Sequence, residues 1–491
     1  MEVESGVIGG VILDDSAVFS DEDNNINNNN NNLILNSLLR KLRYSALSTA
    51  ISYDDALSSP KVDLLKSTAT LYSMHCFSLD NEEAIEQIKR DVKGVILYVV
   101  SIHKKDLFLK QLIPNLQIAF LNVEGANVYE NSNIICINKL EELPLTICRV
   151  NRKAMGNDVV TIGYIMKPSR EEDFAKRGAF PLYPTRDGLM FLPLTFELPL
   201  APQLQEVDII LHKATDEIIS IDMTGTAEFA NRITFTRGMQ ELKRYMDHPP
   251  DCCVIDQLDK IYPVLDRLKI QQTLLGLQDL NAPGRQIIRG PHFLKVNDFR
   301  DPSLDQKLSG AKLSLPSIVK PQVACGVAHA HNMAIVFKVE DFKDLKVPLP
   351  AIIQEYVDHS STLYKFYVLG DKVFNAVKKS TPNAHILMKL CGDDELKPLV
   401  FDSLKSLPTA DEKQLCGDNI DHGLVTEAAK WLARNLGLTI FGFDVVIQEG
   451  SRDHVIVDVN YLPSFKEVPE GVAIPAFWDA IKKKLESKRT T

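Results

Sequence analysis

Two aspartates and an asparagine near the C-terminal end of the sequence have the spacing of a cation site. Asp444 lies in one apolar run, Asp458 and Asn460 lie in the next, and the polar segment 449–453 between the runs is typical of a hairpin turn. A turn centred on Ser451 would place Asp444 directly opposite Asp458. Asn460, two residues further along the strand, would share their face.

The chemistry of these three side chains favours a hard divalent cation. Opposed carboxylates destabilise a strand pair unless a positive charge neutralises them, and Mg²⁺ is commonly held by carboxylates together with substrate phosphates. The alternative is an exposed face with incidental acids, but Gly442, Val446 and Ile456 on that face do not make a solvated pattern. The opposite face is predicted to enter the core through Phe443, Val445, Ile447, Val455, Val457 and Val459.

Size and composition describe a globular chain of several domains. Its 491 residues predict roughly two to four domains, and no run of about 18 apolar residues predicts a membrane span. The net charge of −10 argues against nucleic acid as a partner. The N-terminus lacks the basic stretch of a secretory signal, and the eight cysteines are scattered without CxxC pairs. We therefore expect a soluble cytoplasmic or nuclear protein with reduced thiols.

Residues 1–155 are predicted to form an α/β domain of unknown role. Gly6–Leu13 and Gly94–Val100 have the composition of buried parallel strands, and residues 81–91 have helical spacing. The Asn-rich segment 24–32 is predicted to be a disordered loop. Asp14-Asp15-Ser16, after the first strand, resembles the nucleophile loop of the haloacid dehalogenases. A serine replaces the second acid of that loop, so we expect no phosphatase chemistry there.

Two further domains are predicted, at residues 156–270 and 271–487. The first is an α/β domain with strands at 161–165, 207–213 and 252–256 and a charged helix at 170–178. The second combines a helix at 421–436 with antiparallel strands at 316–320, 333–339, 351–356, 362–369 and 373–378, which indicates an α+β nucleotide-binding architecture. Lys378 and Lys379 at the end of this series are read as charges that protect an edge strand.

The order of the sequence motifs resembles the ATP-grasp fold. It resembles in particular the inositol 1,3,4-trisphosphate 5/6-kinase (inositol-tetrakisphosphate 1-kinase) family, in a plant-type form with an extra N-terminal domain. The resemblance covers roughly residues 160–470 and implies an ATP-grasp domain preceded by a Rossmann-like inositol-phosphate-binding domain and an additional N-terminal α/β domain. It rests on residues 163–166, 208–216, 265–267, 331–337, 363–370 and 441–463.

The resemblance also implies roles for individual residues. ATP would be bound by Arg267, Lys320, Gln354, Tyr356, Lys365, Ser380 and Ser403, with the main chain of Gln354 and Tyr356 at the adenine. The inositol phosphate would be bound by Arg170, Lys213, His331, Lys365 and Asn460. His331 and Lys365 would be the catalytic side chains, and Asp444, Asp458 and Asn460 would hold magnesium, with two ions expected.

The implied activity is Mg-ATP-dependent phosphorylation of inositol 1,3,4-trisphosphate at the 5- or 6-hydroxyl. Phosphorylation of inositol 3,4,5,6-tetrakisphosphate at the 1-hydroxyl is expected as well. The protein is expected to be a monomer. The alternatives are an ATP-grasp carboxylate–amine ligase, which would have no reason to share Lys213 and His331, and a non-catalytic polyphosphate-binding protein. One departure from the family bears on substrate choice: its usual Asn-x-Phe-Pro-Gly segment is Asn460-Tyr-Leu-Pro-Ser464 here.

Overall fold

The computed structural model describes residues 6–19, 29–105, 116–121, 134–247, 252–390, 396–405, 408 and 420–490. The chain divides into two compact units. One consists of Met1–Leu211 with Pro250–Cys253, and the other of His212–Pro249 with Val254–Thr491. The predicted division into three domains, at 155/156 and 270/271, stays a prediction. No helix in the described part of the chain is both long and apolar enough to cross a membrane.

The first unit contains a parallel six-stranded sheet. Its strands are β1 (Ile8–Asp14), β2 (Ser48–Tyr53), β3 (His75–Ser78), β4 (Val95–Ser101), β5 (Leu116–Leu121) and β6 (Ile134–Ile137), in the order β3-β2-β1-β4-β5-β6. Helices α1 (Asp15–Val18), α2 (Asn29–Arg43), α3 (Ser59–Leu71), α4 (Glu82–Asp91) and α5 (Leu143–Met155) accompany it. Leu13 packs into one apolar cluster and Ile12 into another. The predicted buried strands and the helix at 81–91 are therefore confirmed.

The prediction of a loop at residues 24–32 is wrong for its last four residues. Residues 24–28 lie outside the described part of the chain, whereas α2 already begins at Asn29. Asparagine costs a helix only about 0.7 kcal/mol per residue relative to alanine. The helix ends in an amphipathic stretch that buries Leu38, Leu39 and Leu42, and this burial stabilises the whole element.

The remainder of the first unit carries strands β7 (Val160–Ile165) and β8 (Leu189–Pro193), which pair in parallel. Helices α6 (Pro168–Ala175) and α7 (Leu200–Leu204) belong to the same region. The chain passes into the second unit at the end of strand β9 (Ile209–His212). The charged helix predicted at 170–178 therefore exists, but it begins at Pro168, since proline is favoured in the first turn, and ends at Ala175.

The second unit opens with a two-stranded ribbon, β10 (Ile218–Ile221) and β11 (Ile233–Phe235), followed by helix α8 (Arg237–Asp247). After strand β12 (Cys253–Ile255), where the chain returns to this unit, come helices α9 (Leu258–Leu265) and α10 (Arg267–Leu274). Helix α10 begins where the carboxylate of Asp266 accepts a hydrogen bond from the Leu268 amide (2.9 Å), which caps its first turn.

Two five-stranded sheets form the rest of the second unit. The first has the order β13 (Ile288–Arg289), β22 (His454–Tyr461), β21 (Ile440–Ile447), β18 (Thr362–Leu369), β19 (Lys372–Lys379). The second has the order β14 (Phe293–Val296), β17 (Ala351–Glu355), β15 (Ser317–Pro321), β16 (Asn332–Val336), β20 (Leu399–Asp402). Their neighbours run antiparallel except β13 and β22. The predicted strands of this region are confirmed to within a few residues.

Four further helices complete this unit: α11 (Leu304–Gly310), α12 (Ala384–Leu390), α13 (His422–Leu436) and α14 (Glu470–Arg489). Helix α13 is predicted by the sequence at 421–436, and its ends show why. The carboxylate of Asp421 accepts a hydrogen bond from the Leu424 amide (2.9 Å), and Gly437 adopts φ +70°. An aspartate cap and a left-handed glycine are the usual start and stop of a helix.

The hairpin of β21 and β22 confirms the main pairing predicted from the sequence. Asp444 lies opposite Asp458 and Gly442 lies opposite Asn460. The register shifts directly beyond that point, since Val445 pairs with Ile456 and Val457 is left without a partner in the ladder. Val457 is thus a β-bulge residue. Its predicted place on the core face is wrong, because it lines the cleft described below.

Candidate active site

A cleft of about 420 Å³ lies between the two five-stranded sheets, within the second unit. Both sheets supply polar side chains to it. Of the residues proposed from the sequence, it brings together Lys320, His331, Gln354, Tyr356, Lys365, Ser380, Ser403, Asp444, Asp458 and Asn460. Cations, carboxylates and hydroxyl groups therefore line one cavity, as the binding of a charged nucleotide requires.

The acidic end of the cleft is the β21–β22 hairpin. The Asp444 side chain is only 15% exposed, and Lys365 Nζ lies 3.7 Å from its Oδ1. The Asn460 amide donates a hydrogen bond to Asp458 Oδ2 (3.2 Å). Burial raises the pKa of Asp444 to about 6, Lys365 opposes the rise, and the charge of Asp458 adds to it. A carboxylate in this position gains from any additional cation.

The donor set at this end fits magnesium. Its potential ligands are carboxylate and amide oxygens, which suit a hard cation. The described residues contain no group of three or more His, Cys, Asp and Glu side chains that could hold a metal ion by themselves. Asp444, Asp458 and Asn460 supply only part of an octahedral shell. They therefore suit an ion that completes its coordination with water and phosphate oxygens.

Lys320 is the cation nearest to these acids on the opposite sheet. It extends from β15, is 8% exposed, and donates a hydrogen bond from Nζ to the Val457 carbonyl (3.3 Å). Burial lowers its pKa to about 8, with Arg267 lowering it further and Asp458 and Asp444 raising it. The ammonium thus remains mostly charged at neutral pH and is placed where a phosphate would be neutralised.

His331 lies in the loop before β16 and is fixed from β20. Its Nδ1 lies 3.3 Å from the Ser403 hydroxyl, and the Ser403 amide donates to the His331 carbonyl (3.0 Å). Burial lowers the pKa of His331, and the positive charge of Arg267 lowers it further. The imidazole is therefore neutral at pH 7 and presents one donor and one acceptor.

The cleft is also lined by Gln354 and Tyr356, in and just after β17, which were predicted to border the adenine. Gln354 is buried inside the strand, paired with both β14 and β15, so its main chain is committed to the sheet. Tyr356 lies just beyond the strand, and its hydroxyl donates to the Pro382 carbonyl. Between them, Glu355 forms ion pairs with Arg289 of β13. Both Gln354 and Tyr356 line the cleft, and the predicted contact of their main chain with adenine stays a prediction.

Three predicted binding residues do not line the cleft. Arg170 is the third residue of α6, in the first unit, and its predicted phosphate contact stays a prediction. Lys213 is 8% exposed and donates from Nζ to the Tyr461 carbonyl. Arg267 is the first residue of α10 and is 5% exposed.

Arg267 braces the chain that leads to His331. Its Nη1 donates to the carbonyls of Pro321 (2.6 Å), Val323 (2.7 Å) and Ala330 (3.2 Å), and its Nη2 donates to Ala324 (3.3 Å). Much of the hydrogen-bonding capacity of this guanidinium is therefore used by main-chain carbonyls, and its predicted contact with an ATP phosphate stays a prediction. The structure thus places this guanidinium behind the loop, where it supports the wall of the cleft.

Other cleft residues were not proposed as ligands from the sequence. Lys378 and Lys379 lie on β19, which is an edge strand as predicted, and yet both line the cleft, together with His359, Leu363 and Thr381. Lys378 pairs with Glu467, which also accepts from the Tyr367 hydroxyl. The available signal was the alternation along the strand after Gly370, which puts Lys378 on the same face as Ala376, the partner of Lys365.

The dehalogenase-like corner of the first unit is closed by its own side chains. Asp14 is fully buried at the end of β1 and accepts hydrogen bonds from the Tyr98 hydroxyl (2.8 Å) and the Ser16 hydroxyl. Lys104 Nζ lies 2.9 Å from Asp14 Oδ1 and 2.6 Å from Asp15 Oδ1. Ser16, which replaces the usual acid, therefore donates a hydrogen bond to Asp14, two residues before it.

Two family models match the chain. Residues 1–153 match the model described as "ITPK4, N-terminal HAD-like domain", and residues 284–478 match the "Inositol 1,3,4-trisphosphate 5/6-kinase ATP-grasp domain". Among solved structures, the macrocyclase MdnC from Microcystis aeruginosa is similar at a TM-score of 0.40 with 12% identity, over 66% of this chain and 99% of that one. At that score the likeness adds nothing to the assignment.

Curated relatives extend the match over nearly the whole chain. It is 50% identical over 465 residues to "Inositol-tetrakisphosphate 1-kinase 6" of Oryza sativa subsp. japonica, covering 92% of this chain and 84% of the relative. It is 28% identical over 293 residues to "Inositol-tetrakisphosphate 1-kinase" of Danio rerio, covering 58% of this chain and 69% of that relative. With its ATP-grasp domain and its HAD-like N-terminal domain, the chain belongs to the inositol-tetrakisphosphate 1-kinase family.

Proposed function

We propose that this protein is a Mg-ATP-dependent inositol polyphosphate kinase that transfers a phosphoryl group to a free hydroxyl of the inositol ring. The observation that supports this most is the meeting of acids and cations in one cleft. Asp444 and Asp458 face Lys320 from the opposite sheet, and Lys365 lies beside Asp444. Phosphoryl transfer requires mainly the positioning of reactants and the neutralisation of spreading negative charge.

In this proposal the two sheets hold the two ends of ATP. Main chain from Tyr356 onward borders the adenine, and Ser380 lines the same end of the cleft. Lys320 neutralises a phosphate as a point charge. Asp444, Asp458 and Asn460 would hold magnesium, which would supply positive charge next to the phosphates.

His331 and Lys365 are proposed to act on the inositol phosphate. Lys365 places an ammonium on the β18 face beside the acids, where a transferred phosphoryl group would pass. Neutral His331 would hold a ring phosphate or hydroxyl through a hydrogen bond, with Ser403 fixing its ring. Lys378 and Lys379 add two cations to the same cleft, which suits a ligand with several phosphates. We propose that Lys213 also binds a phosphate of the inositol ring.

The substrates proposed are inositol 1,3,4-trisphosphate, at the 5- or 6-hydroxyl, and inositol 3,4,5,6-tetrakisphosphate, at the 1-hydroxyl. The names of the relatives and of the ATP-grasp family model support these two classes. A carboxylate–amine ligase would share the metal hairpin, but membership of this family argues against it. A purely binding function is opposed by the retention of all three proposed metal ligands. The scattered cysteines of the sequence support a location in the cytoplasm or nucleus. We also propose that the protein is a monomer.

A panel of inositol phosphates tests the proposal. Purified protein is incubated with ATP, Mg²⁺ and each isomer, ATP consumption is measured, and the products are resolved by isomer. The expected result is turnover with a trisphosphate or tetrakisphosphate that has a free hydroxyl, and its loss in the Asp458→Asn variant. Consumption of ATP only with a carboxylate and an amine would instead identify a ligase, and binding without turnover would identify a binding protein.

A further inference from the structure

A single buried tyrosine joins three separate segments at the end of the metal hairpin. Tyr461 is the last residue of β22, directly after Asn460, and is 3% exposed. In the segment Asn460-Tyr-Leu-Pro-Ser464 it stands at the x position of the family's usual Asn-x-Phe-Pro-Gly.

The hydroxyl of Tyr461 is surrounded by main-chain groups. It lies 2.7 Å from the His212 carbonyl and 2.9 Å from the Ile255 carbonyl, and it accepts a hydrogen bond from the Asp256 amide (3.1 Å). Within the second unit, one hydroxyl therefore holds the main chain at His212 and at Ile255 and Asp256 to the end of β22.

The segment on the far side of this network is itself anchored. The Asp256 carboxylate accepts hydrogen bonds from the Thr439 amide (2.7 Å) and the Thr439 hydroxyl (2.6 Å), directly before β21. The ring of His212 is bound as well, with its Nε2 2.9 Å from the Asp256 carbonyl. The hydroxyl of Tyr461 is thus held among groups that cannot easily move away from it.

Lys213 is attached to Tyr461 at both of its ends. The carbonyl that precedes it, on His212, accepts from the tyrosine hydroxyl. Its ammonium donates to the main-chain carbonyl of Tyr461 and lies 4.9 Å from the centre of the aromatic ring. A cation held over a ring face and against a carbonyl has little rotational freedom. Tyr461 therefore contributes two contacts that orient the Lys213 ammonium.

We propose that Tyr461 is a positioning residue that orients Lys213 as a phosphate-binding cation for the inositol ring, next to the magnesium ligand Asn460. This inference rests on the proposed function, in which Lys213 contacts the substrate. Neighbouring residues at the end of β22 would then couple the two requirements of the reaction, since one holds the metal and the next holds the cation that fixes the ring. A pre-oriented cation loses less entropy when the substrate binds.

The test compares Tyr461→Phe with Tyr461→Leu. Phenylalanine removes only the hydroxyl, and leucine also removes the ring beneath the ammonium. We expect Tyr461→Phe to raise the KM for the inositol phosphate by roughly fivefold to tenfold, the value of about one lost hydrogen bond. Tyr461→Leu should raise it further, and the KM for ATP should stay within about twofold for Tyr461→Phe.

Two further variants separate positioning from general stability. Tyr98→Phe removes a comparably buried, hydrogen-bonded hydroxyl in the first unit and should lower the melting temperature without changing either KM. In a Lys213→Met background, Tyr461→Phe should have little further effect on the KM for the inositol phosphate, because residues that act as a unit are not additive. A structural role alone would give additive losses.

An unchanged KM for the inositol phosphate in Tyr461→Phe, or equal rises for both substrates, would overturn the inference. Failure of the proposed function has a different signature, since the wild-type protein would not turn over any inositol phosphate. In that case the affinity for inositol hexakisphosphate, measured by calorimetric titration, is compared between the variants in place of the KM. Weaker binding by Tyr461→Phe, absent in the Lys213→Met background, supports the inference, and equal binding by wild type and Tyr461→Phe rejects it.

Discussion

Arg289 and Glu355 join the two five-stranded sheets through a two-pronged ion pair. Nη1 and Nη2 of the arginine lie 2.8 Å and 2.9 Å from the two carboxylate oxygens. The same guanidinium binds Asp453 and Gln448 in the turn of the metal hairpin, at 3.0 Å and 2.7 Å. One side chain on β13 therefore ties the strand that borders the proposed adenine site to the hairpin that carries the acids.

Replacing Arg289 with lysine should weaken ATP binding. A lysine ammonium cannot reproduce the planar fork that reaches Glu355, Asp453 and Gln448 together. We expect the KM for ATP to rise by roughly threefold to tenfold, the melting temperature to fall, and the KM for the inositol phosphate to change little. The matched control is Arg285→Lys, an exposed arginine 3.6 Å from Glu427. Identical behaviour of the two variants would show that this link has no role at the nucleotide.

Replacing Asp458 with asparagine should abolish most of the kinase activity and leave the fold intact. One anionic magnesium ligand becomes neutral at almost equal volume, and a loss of about 100-fold or more in kcat is expected. Steady-state rates at saturating Mg²⁺ and a circular dichroism melt measure the two effects. The exposed acid Asp305 provides the control substitution Asp305→Asn. Turnover near that of the wild type would refute the metal assignment.

Replacing His331 or Lys365 with alanine should raise the KM for the inositol phosphate more than the KM for ATP. Both groups are proposed to face the ring, and each supplies a hydrogen bond or charge worth about 1 to 3 kcal/mol, or roughly fivefold to a hundredfold in KM. Initial rates measured while each substrate is varied in turn give the two constants. Equal rises would move the residue to the nucleotide site.

The pH dependence of stability should carry a contribution from His212. Burial lowers its pKa from 6.5 to about 4, with the charge of Lys213 adding to this and the Asp256 carbonyl opposing it. Its Nδ1 accepts from the Ala214 amide (3.3 Å), and Nε2 donates to Asp256, so only the neutral ring satisfies both partners. The unfolded chain binds the proton more readily, and stability is therefore lost as the pH falls from about 6.5 towards 4.

Chemical denaturation at pH 7.5 and pH 4.5 measures this contribution. The wild type should lose up to about 3 kcal/mol from this one group, at about 1.36 kcal/mol per pKa unit. His212→Gln, which keeps a donor and an acceptor but cannot titrate, should show a smaller difference between the two pH values. An unchanged difference would show that the histidine does not titrate with the folding equilibrium.

The sequence was informative where a local pattern specifies the geometry. Two apolar runs joined by a polar turn predicted the opposition of Asp444 and Asp458, and the helix predicted at 421–436 is α13. The ordered motifs predicted the residues that line the cleft, since all of them except Arg170, Lys213 and Arg267 were found there. Such features depend on residues that are close in the sequence or that share a strand face, and the spacing of residues in the sequence specifies both.

The remaining features depend on contacts between distant segments. Arg267 donates hydrogen bonds to carbonyls of residues 321–330, which no pattern in its own helix reveals, and its expected contact with the phosphates stays a prediction. The network of Tyr461 joins residues more than 200 positions apart. Lys378 was interpreted only as an edge charge, because the sequence does not show which face of an edge strand closes a cavity.

The bulge at Val457 shifts the register of the β21–β22 ladder by one residue, and this shift places Asp458 opposite Asp444 in the proposed metal site. Without it, the ladder that pairs Ile447 with His454 would continue to pair Asp444 with Val457, and the Asp458 carboxylate would point into the layer of Phe443. Counting outward from the observed pair Ile447 and His454 gives Val457 as the partner of Asp444, whereas the predicted turn centred on Ser451 gives the observed partner, Asp458. The pairing of the two acids depends on the length of β22 as well as on the acids themselves. Substitution of Val457 therefore keeps Asp444 opposite Asp458, whereas insertion or deletion of one residue in the strand can separate them.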